Sequence, residues 1–346
     1  MNRIRFHAVQ HSKLFILLSV AGPTYGIGHE VRMQNFSKMA KHNGWQVQHH
    51  KLKEGYPLEL NFPIIQSKYK SICAVIDLDP RYVQSCQQEL IKTLKKFKML
   101  NSKVFFIESD LRNINTMQFY KYVDHVFYPY GHIGTKKGKK LSTGLGYSIF
   151  SPELVSLAKK KESGFRGSHY VLISCGGSDP AQVTEFYMNQ LVQFHLATLN
   201  VTVICGPHFD SERRKALKYL VSGSQHKFLI KRNVKNVYKL YEDSTVALVT
   251  GGLSRNEIAF LQKQSFVVDL NAEQAKTTKL LENYSPITRV GRLDRDTKAL
   301  MSEKFNSNFG RFILENSKGG TLTSKDRVFF VNGSEKNLLV RIEELV

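Results

Sequence analysis

The sequence predicts an α/β protein built as two parallel-sheet domains facing across a cleft, and three observations carry this reading. The chain has 346 residues, against roughly 150 per domain, so it can hold two sizeable cores. From Leu14 onward, short apolar runs alternate with longer segments of helical spacing, as in parallel strands covered by helices on both faces. Glycine-rich turns recur where such a run hands over to a helix, and open α/β sheets bind ligands at such ends. A composition of 42% hydrophobic and 23% charged residues with 9 prolines is that of a globular chain.

In the first half the strand candidates cover 14–20, 45–52, 72–77, 104–108 and 123–128. Between them Val31, Met33, Phe36, Met39 and Ala40, and then Tyr82, Cys86, Leu90, Leu94 and Phe97, fall at helical spacing. The charged, glycine-containing stretch 158–168 reads as an interdomain linker, giving Rossmann-like domains over 1–160 and 169–330. The second set of strand candidates covers 170–174, 201–205, 228–230, 246–250 and 266–270, with helical patterns near 181–194, 234–241 and 256–261. An amphipathic helix over 335–346 closes the chain.

Arg3, Arg5 and Lys13 ahead of the apolar run 14–21 imitate a secretory leader. The run is short and leads straight into a glycine loop and an amphipathic segment, as a buried first strand does. No apolar stretch approaches the roughly 20 residues that span a bilayer. Cys73, Cys86, Cys175 and Cys205 form no C-x-x-C pair and have no histidine at zinc-ligand spacing, so no metal site or redox pair is signalled and a reduced cytoplasmic setting is expected. Fifty Lys and Arg against 29 Asp and Glu leave a formal charge of +21. That balance points to an anionic partner, a phosphorylated substrate or an anionic membrane contacted peripherally, or else to lysine-rich usage for solubility alone. Nucleic acid is not expected, because the basic residues run through the whole chain without a recognisable recognition module.

Three strand-to-helix turns could carry chemistry. The first runs Gly22-Pro23-Thr24-Tyr25-Gly26-Ile27-Gly28-His29-Glu30-Val31-Arg32. Its glycines let backbone approach a ligand, and the helix start that follows offers free N–H groups to an anion. It lacks G-x-G-x-x-G, and the second strand candidate ends at His49-His50-Lys51-Leu52 without the acid a ribose partner needs, which argues against a dinucleotide dehydrogenase. His29 could orient or deprotonate a nucleophile near neutral pH, or simply make a local hydrogen bond at a helix start. The second turn, Ser174-Cys175-Gly176-Gly177-Ser178-Asp179-Pro180, places a glycine pair before Asp179 as helix cap and Pro180 as first helical residue. It is either a phosphate cradle or a plain tight turn. In the third, Thr250-Gly251-Gly252-Leu253-Ser254-Arg255-Asn256-Glu257, Ser254 and Glu257 are spaced as a capping box, or else Glu257 accepts hydrogen bonds from ribose hydroxyls. Glu273-Gln274 sits at the turn after the next strand.

These pieces, together with the stretch Thr143-Gly144-Leu145-Gly146-Tyr147-Ser148-Ile149-Phe150-Ser151-Pro152-Glu153, carry a resemblance over about residues 14–275. The chain resembles the GT-B superfamily. Within it the chain is similar to the UDP-sugar hydrolase of pseudaminic acid biosynthesis, to spore-coat polysaccharide relatives and to the glucosaminyltransferase of peptidoglycan assembly. The resemblance implies a UDP-sugar in the interdomain cleft, with the nucleotide held mainly by the second domain. It puts Gly177 and Ser178 at the pyrophosphate, Gly252, Leu253 and Ser254 beside the nucleotide, Glu257 at the ribose and Gln274 at the sugar or phosphate. Gly28, Arg32 and Asn256 join the substrate-binding set. His29 would direct water at the anomeric carbon, releasing UDP and free sugar with no metal and no cofactor.

The expected function is hydrolysis of a UDP-activated amino sugar in surface-glycan biosynthesis; the alternative is a GT-B glycosyltransferase delivering the sugar to a glycan or lipid-linked acceptor. A 2-epimerase of the same fold and a non-catalytic nucleotide binder rank below both. The sequence departs from the family at Ala21-Gly22-Pro23-Thr24-Tyr25, where an acid and an arginine are common. It departs again at Asp77-Leu78-Asp79, where the family often has an aspartate pair.

Overall fold

The computed structural model describes residues 13–56, 58, 69, 71–159, 170–232, 234–317 and 334–346. Arg3 and Arg5, most of the expected linker (160–168) and the end of the second expected domain (318–330) lie outside the described residues. In the first half the chain runs β1 (Lys13–Ala21), α1 (Gly28–His42), β2 (Gln46–Lys53), β3 (Ser71–Asp77), α2 (Pro80–Ser85), α3 (Gln87–Met99), β4 (Lys103–Ile107), α4 (Arg112–Thr116), β5 (His125–Tyr128), β6 (Leu141–Thr143) and α5 (Pro152–Lys159). The second half runs β7 (Tyr170–Ser174), α6 (Val183–Val192), β8 (Asn200–Cys205), α7 (Ser211–Leu220), β9 (Lys227–Arg232), α8 (Val237–Asp243), β10 (Val246–Thr250), α9 (Leu253–Phe260), β11 (Gln264–Asp269), α10 (Ala272–Glu282), β12 (Ile287–Arg292), α11 (Lys298–Ser317) and α12 (Ser334–Leu345).

Two six-stranded parallel sheets result, ordered β2-β1-β3-β4-β5-β6 and β12-β11-β10-β7-β8-β9. β1 shows why. Its residues Leu14, Ile16, Leu18 and Val20 enter one core cluster while Phe15 and Leu17 enter another, so both faces are covered and the strand reads as an unbroken apolar run. In each sheet the crossover direction reverses beside the first strand, between β1 and β3 and between β7 and β10. Those two switch points are where open α/β sheets leave a crevice at the carboxyl ends of their strands.

Two elements tie the halves together. Phe150, Leu154 and Val155, leading into and along α5, pack with Leu172, Tyr241 and Ile258 of the second half, and the Phe150 and Phe260 rings stack 4.5 Å apart. α12 returns to the first half, burying Leu338, Leu339 and Ile342 against Phe15, Phe36 and Trp45. Trp45 Nε1 donates to Glu343 at 3.0 Å, and Asn337 Nδ2 donates to the Gly146 carbonyl at 2.9 Å.

The expected strands are present, and two more complete the sheets. β6 has three residues, too few for a period to show, and β12 carries Arg289, Gly291 and Arg292, so neither reads as an apolar run. The helix expected through 82–97 is interrupted at Cys86. Among the described residues no helix is long and apolar enough to cross a membrane.

Candidate functional site

The first switch point begins with a closed loop. Gly22 and Gly26 exchange backbone hydrogen bonds of 3.1 and 2.7 Å, with Gly26 at φ +70°, a conformation suited to glycine. Glu54 accepts from the Thr24 N–H at 2.9 Å and fixes the loop's far side. α1 then starts at Gly28, and Ile27 before it supplies no side-chain cap, so the N–H groups of its first turn are free for a ligand.

His29, in that first turn, points its Nδ1 at Asp77 Oδ1, 2.7 Å away. Asp77 ends β3, in register with Ser19 of β1, and is fully buried. Arg32, one turn after His29, donates from Nε and Nη2 to the two Asp77 oxygens at 2.8 and 2.7 Å and from Nη1 to the Tyr130 hydroxyl at 2.8 Å. Burial raises the Asp77 carboxyl, but Arg32 and His29 outweigh it and hold Asp77 below the usual carboxylate range. An ionised Asp77 can only accept, so Nδ1 of His29, which also lies 3.0 Å from Arg32 Nη2, carries a proton, and in the neutral ring the lone pair is on Nε2. That lone pair lies 3.9 Å from Asp79 Oδ2. Asp79 caps α2 through the Arg81 N–H and is gripped by the Arg81 guanidinium, at 2.9 and 2.9 Å to Oδ1 and 3.0 Å to Oδ2.

The second switch point differs. Asp179 and Gln182 both adopt positive φ, +43° and +57°, so the helix expected from Pro180 begins only at Val183. Asp179 still caps it, accepting from Val183 and Thr184 N–H at 3.0 and 2.8 Å. Arg213 bonds the Ser178 and Asp179 carbonyls at 2.9 and 3.0 Å, Asp179 Oδ2 at 3.0 Å, and Glu185 at 2.5 and 2.6 Å. The start of α6 is thus filled by the protein's own carboxylate, and what remains for an anion is the turn Gly176 to Ser178, of which Gly176 is exposed while Gly177 and Ser178 are buried. A carbon added at Gly206 would come within 2.2 Å of the Gly177 carbonyl oxygen, and one added at Gly177 within 2.7 Å of Ile27 Cγ1. Gly177 and Ser178 therefore stand directly opposite the α1 loop.

α9 starts without a side-chain cap, leaving the N–H groups over Gly252, Leu253 and Ser254 as the open helix terminus of this domain. Ser254 does not cap; its hydroxyl is hydrogen-bonded to Tyr241. Glu257 does not complete a capping box either. It is buried, accepts from Tyr241 and Tyr238 hydroxyls at 3.1 and 3.4 Å, and is pushed up to about 7 by burial, which the two hydrogen bonds only partly offset. Arg255, also buried, donates to Asn256 Oδ1 at 3.1 and 2.9 Å, to the Gln274 carbonyl at 2.9 Å and to Thr278 Oγ1 at 3.0 Å. Burial draws its guanidinium down to about 10, still protonated at neutral pH. With Asn256 Oδ1 held by Arg255 and Gln274 Oε1 held by the Leu270 N–H at 2.8 Å, each amide keeps its NH2 for other partners.

A narrow cleft between the halves is lined by Arg32, Tyr130 and Ser148 on one side and Leu253 and Asn256 on the other. The structure thus brings Arg32, Leu253 and Asn256 to one crevice, with His29 beside Arg32, Gly177 and Ser178 against the loop before Gly28, Gly252 and Ser254 at the start of α9, Gln274 packed against Gly251, and Glu257 turned into its tyrosine pair. Sequence reasoning assigned no role to Asp77, Asp79, Tyr130 or Arg213. An acid closing the strand beside β1, with His and Arg three apart on the next helix, is the signal that points to Asp77.

No family model and no curated protein matches the sequence. Solved structures do match its fold. MurG of Acinetobacter baumannii is 13% identical with a TM-score of 0.58, covering 96% of this chain and 99% of its own. UDP-GlcNAc 2-epimerase of Methanocaldococcus jannaschii is 13% identical at 0.54, covering 96% and 100%. A UDP-glucosyltransferase of Polygonum tinctorium is 11% identical at 0.53, covering 96% and 98%. With two parallel Rossmann-like sheets facing across a cleft, the chain has the GT-B fold.

Proposed function

We propose that this protein is a GT-B enzyme that moves the glycosyl group of a UDP-sugar to an oxygen nucleophile, in its main use as a glycosyltransferase. The observation that carries this reading is the His29 imidazole, fixed by buried Asp77 at the uncapped start of α1 and adjoining Arg32, which lines the cleft. Nε2 takes the proton of the acceptor hydroxyl as its oxygen closes on the anomeric carbon. The bond from that carbon to the diphosphate oxygen breaks, and UDP departs with the electron pair. A base acting on an incoming nucleophile implies a single displacement with inversion.

The second half supplies donors for the leaving group: the free N–H groups starting α9 and the NH2 groups of Asn256 and Gln274. Such preorganised donors contribute most where charge develops. The solved neighbours are described as a UDP-glucosyltransferase, a UDP-GlcNAc 2-epimerase and, for LpCGTa, a complex with UDP, which supports UDP as the carrier. Hydrolysis of a UDP-activated amino sugar remains the second reading. The observation in its favour is Asp79 Oδ2 at 3.9 Å from Nε2, close enough for one water to donate to both.

The test is UDP release from a panel of UDP-sugars with and without hydroxylated acceptors, with the product anomer read by NMR. Acceptor-dependent release with inversion supports the transferase, and release into water alone selects the hydrolase. No release from any donor overturns both.

A further inference from the structure

We infer that Asp79 seats the nucleophile together with His29, so that the protein accepts nucleophiles bringing two hydroxyl hydrogens to one point and rejects simple monohydric alcohols; this rests on the proposed glycosyl transfer. Nε2 of His29, an acceptor in the neutral ring, and Oδ2 of Asp79 lie 3.9 Å apart beside the start of α1. An oxygen about 2.8 Å from each would see them at roughly a right angle, near the spread of two donors on one water or of vicinal hydroxyls on a sugar.

Both acceptors are held from behind. Asp77 fixes the His29 ring through Nδ1. Arg81 binds both Asp79 oxygens, donates to the Thr24 carbonyl at 3.0 Å and lies over the Tyr25 ring, 5.3 Å from its centroid. Asp79 is therefore neither a spare surface carboxylate nor only a cap. One oxygen carries the α2 N–H while the other, also bonded by Arg81, lies 3.9 Å from His29 Nε2, and both side chains are about nine-tenths buried, at 12% and 11% exposure. A nucleophile with one O–H satisfies Nε2 and leaves a partly desolvated carboxylate oxygen against an alcohol carbon, an unfavourable pairing.

In the reaction the first hydrogen passes to Nε2 as the oxygen bonds to the anomeric carbon and UDP leaves. The second hydrogen stays on the nucleophile, donated to Asp79. Water offers both hydrogens on one oxygen, and a sugar offers them on neighbouring oxygens.

The experiment compares water, 1-propanol, glycerol and methyl glucosides as acceptors for wild type, Asp79→Asn and Arg81→Gln. Asparagine caps a helix nearly as well as aspartate but places an NH2 donor where Oδ2 accepts. In the wild type, diols or water should outrun 1-propanol by about tenfold to a hundredfold in kcat/KM. Asp79→Asn should bring that ratio to within about twofold at an unchanged melting temperature, and Arg81→Gln should lower it only partly. Product in water alone identifies water as the seated nucleophile; product only with diols identifies a sugar; either supports the inference. Equal use of 1-propanol by the wild type, or a ratio untouched by Asp79→Asn, overturns it.

A second readout does not need turnover. In UDP-saturated protein the His29 Nε2 resonance, followed in 15N-histidine-labelled samples, should shift with methyl glucoside, stay still with 1-propanol, and lose the response in Asp79→Asn. If no UDP-sugar is turned over, the proposed reaction fails while this titration still decides the seat, and an equal response to both alcohols overturns it.

Discussion

Between β1 and β3 the strand ends present side chains, His29, Arg32, Asp77 and Asp79, joined to one another by contacts of 2.7 to 3.9 Å. Between β7 and β10 they present mostly backbone, the Gly176 to Ser178 turn and the uncapped start of α9. Even the carboxylate found there, Asp179, is consumed by the protein's own helix start. On the proposed reading, the same topological position serves chemistry in one half and holds an anion in the other. Charge that must move a proton is best fixed by other charge, whereas a diphosphate is best met by neutral dipoles that need no counter-ion.

The largest expected effect breaks the first side of this contrast. Asp77→Ala leaves the buried Arg32 guanidinium with no carboxylate, only the Tyr130 hydroxyl and the His29 ring, and removing one partner of a buried pair costs about 3 to 5 kcal/mol. Denaturant unfolding should show that loss, with turnover falling as well. His29→Ala is the sharper variant, since His29 is not the main counter-ion. Its kcat should drop by about 10² to 10⁴ while unfolding and UDP affinity, read by calorimetry, stay near wild type. Loss of UDP binding with His29→Ala would mean that the two switch points do not divide chemistry from nucleotide holding as described.

How much of this was legible follows the same division. β1 and β7 are buried on both faces, so their composition announces them; β12, with two arginines, does not. His29 was visible because glycines precede it. Asp77 was visible only as a residue, because its role depends on β3 lying beside β1, a long-range pairing that local spacing does not encode. Asp179 reads as a cap and is one, but its positive φ, and with it the late start of α6, goes with long-range bonds from Arg213, 34 residues away, that local spacing does not encode. Glu257 looked like either a capping-box acid or a ribose acceptor, and the two tyrosines that enclose it come from α8.

Glu257 gives the next effect on the second side. Its carboxyl is raised to about 7 by burial, against about 4.3 to 4.5 in an unfolded chain. Between those values the native state binds the proton more tightly, so this group's favourable contribution is present below about pH 4.5 and is lost as pH rises through 7, on the order of 3 to 4 kcal/mol. Glu257→Gln should flatten that part of the stability profile between pH 5 and 8. If ribose hydroxyls donate to the carboxylate, wild-type UDP affinity should rise with pH through about 7 and the Gln variant should show no such rise. A flat wild-type affinity would confine Glu257 to its tyrosine pair.

Asp179→Ala tests whether α6 is truly closed to ligand. It frees the Val183 and Thr184 N–H groups and should cost about 1 to 2 kcal/mol of stability, as lost caps do. UDP affinity should hold or rise slightly, because the variant only adds donors and removes a negative charge. A large fall in affinity would show that Asp179 positions the Gly177 and Ser178 backbone for the diphosphate.

The smallest effect separates side chain from backbone within the second switch point itself. Asn256 is presented by Arg255, which holds Oδ1 and leaves the NH2 on the cleft side. Asn256→Ala should weaken UDP or UDP-sugar binding by about 1 kcal/mol, one neutral hydrogen bond, about fivefold by calorimetry. Asn256→Asp replaces the donor with a second acceptor facing the diphosphate and should weaken it further, even though Asp would pair better with Arg255. An aspartate variant binding as well as wild type would mean that the α9 backbone alone holds the anion. The division between the halves would then be complete: side chains for proton transfer on one side, and no side chain at all for the diphosphate on the other.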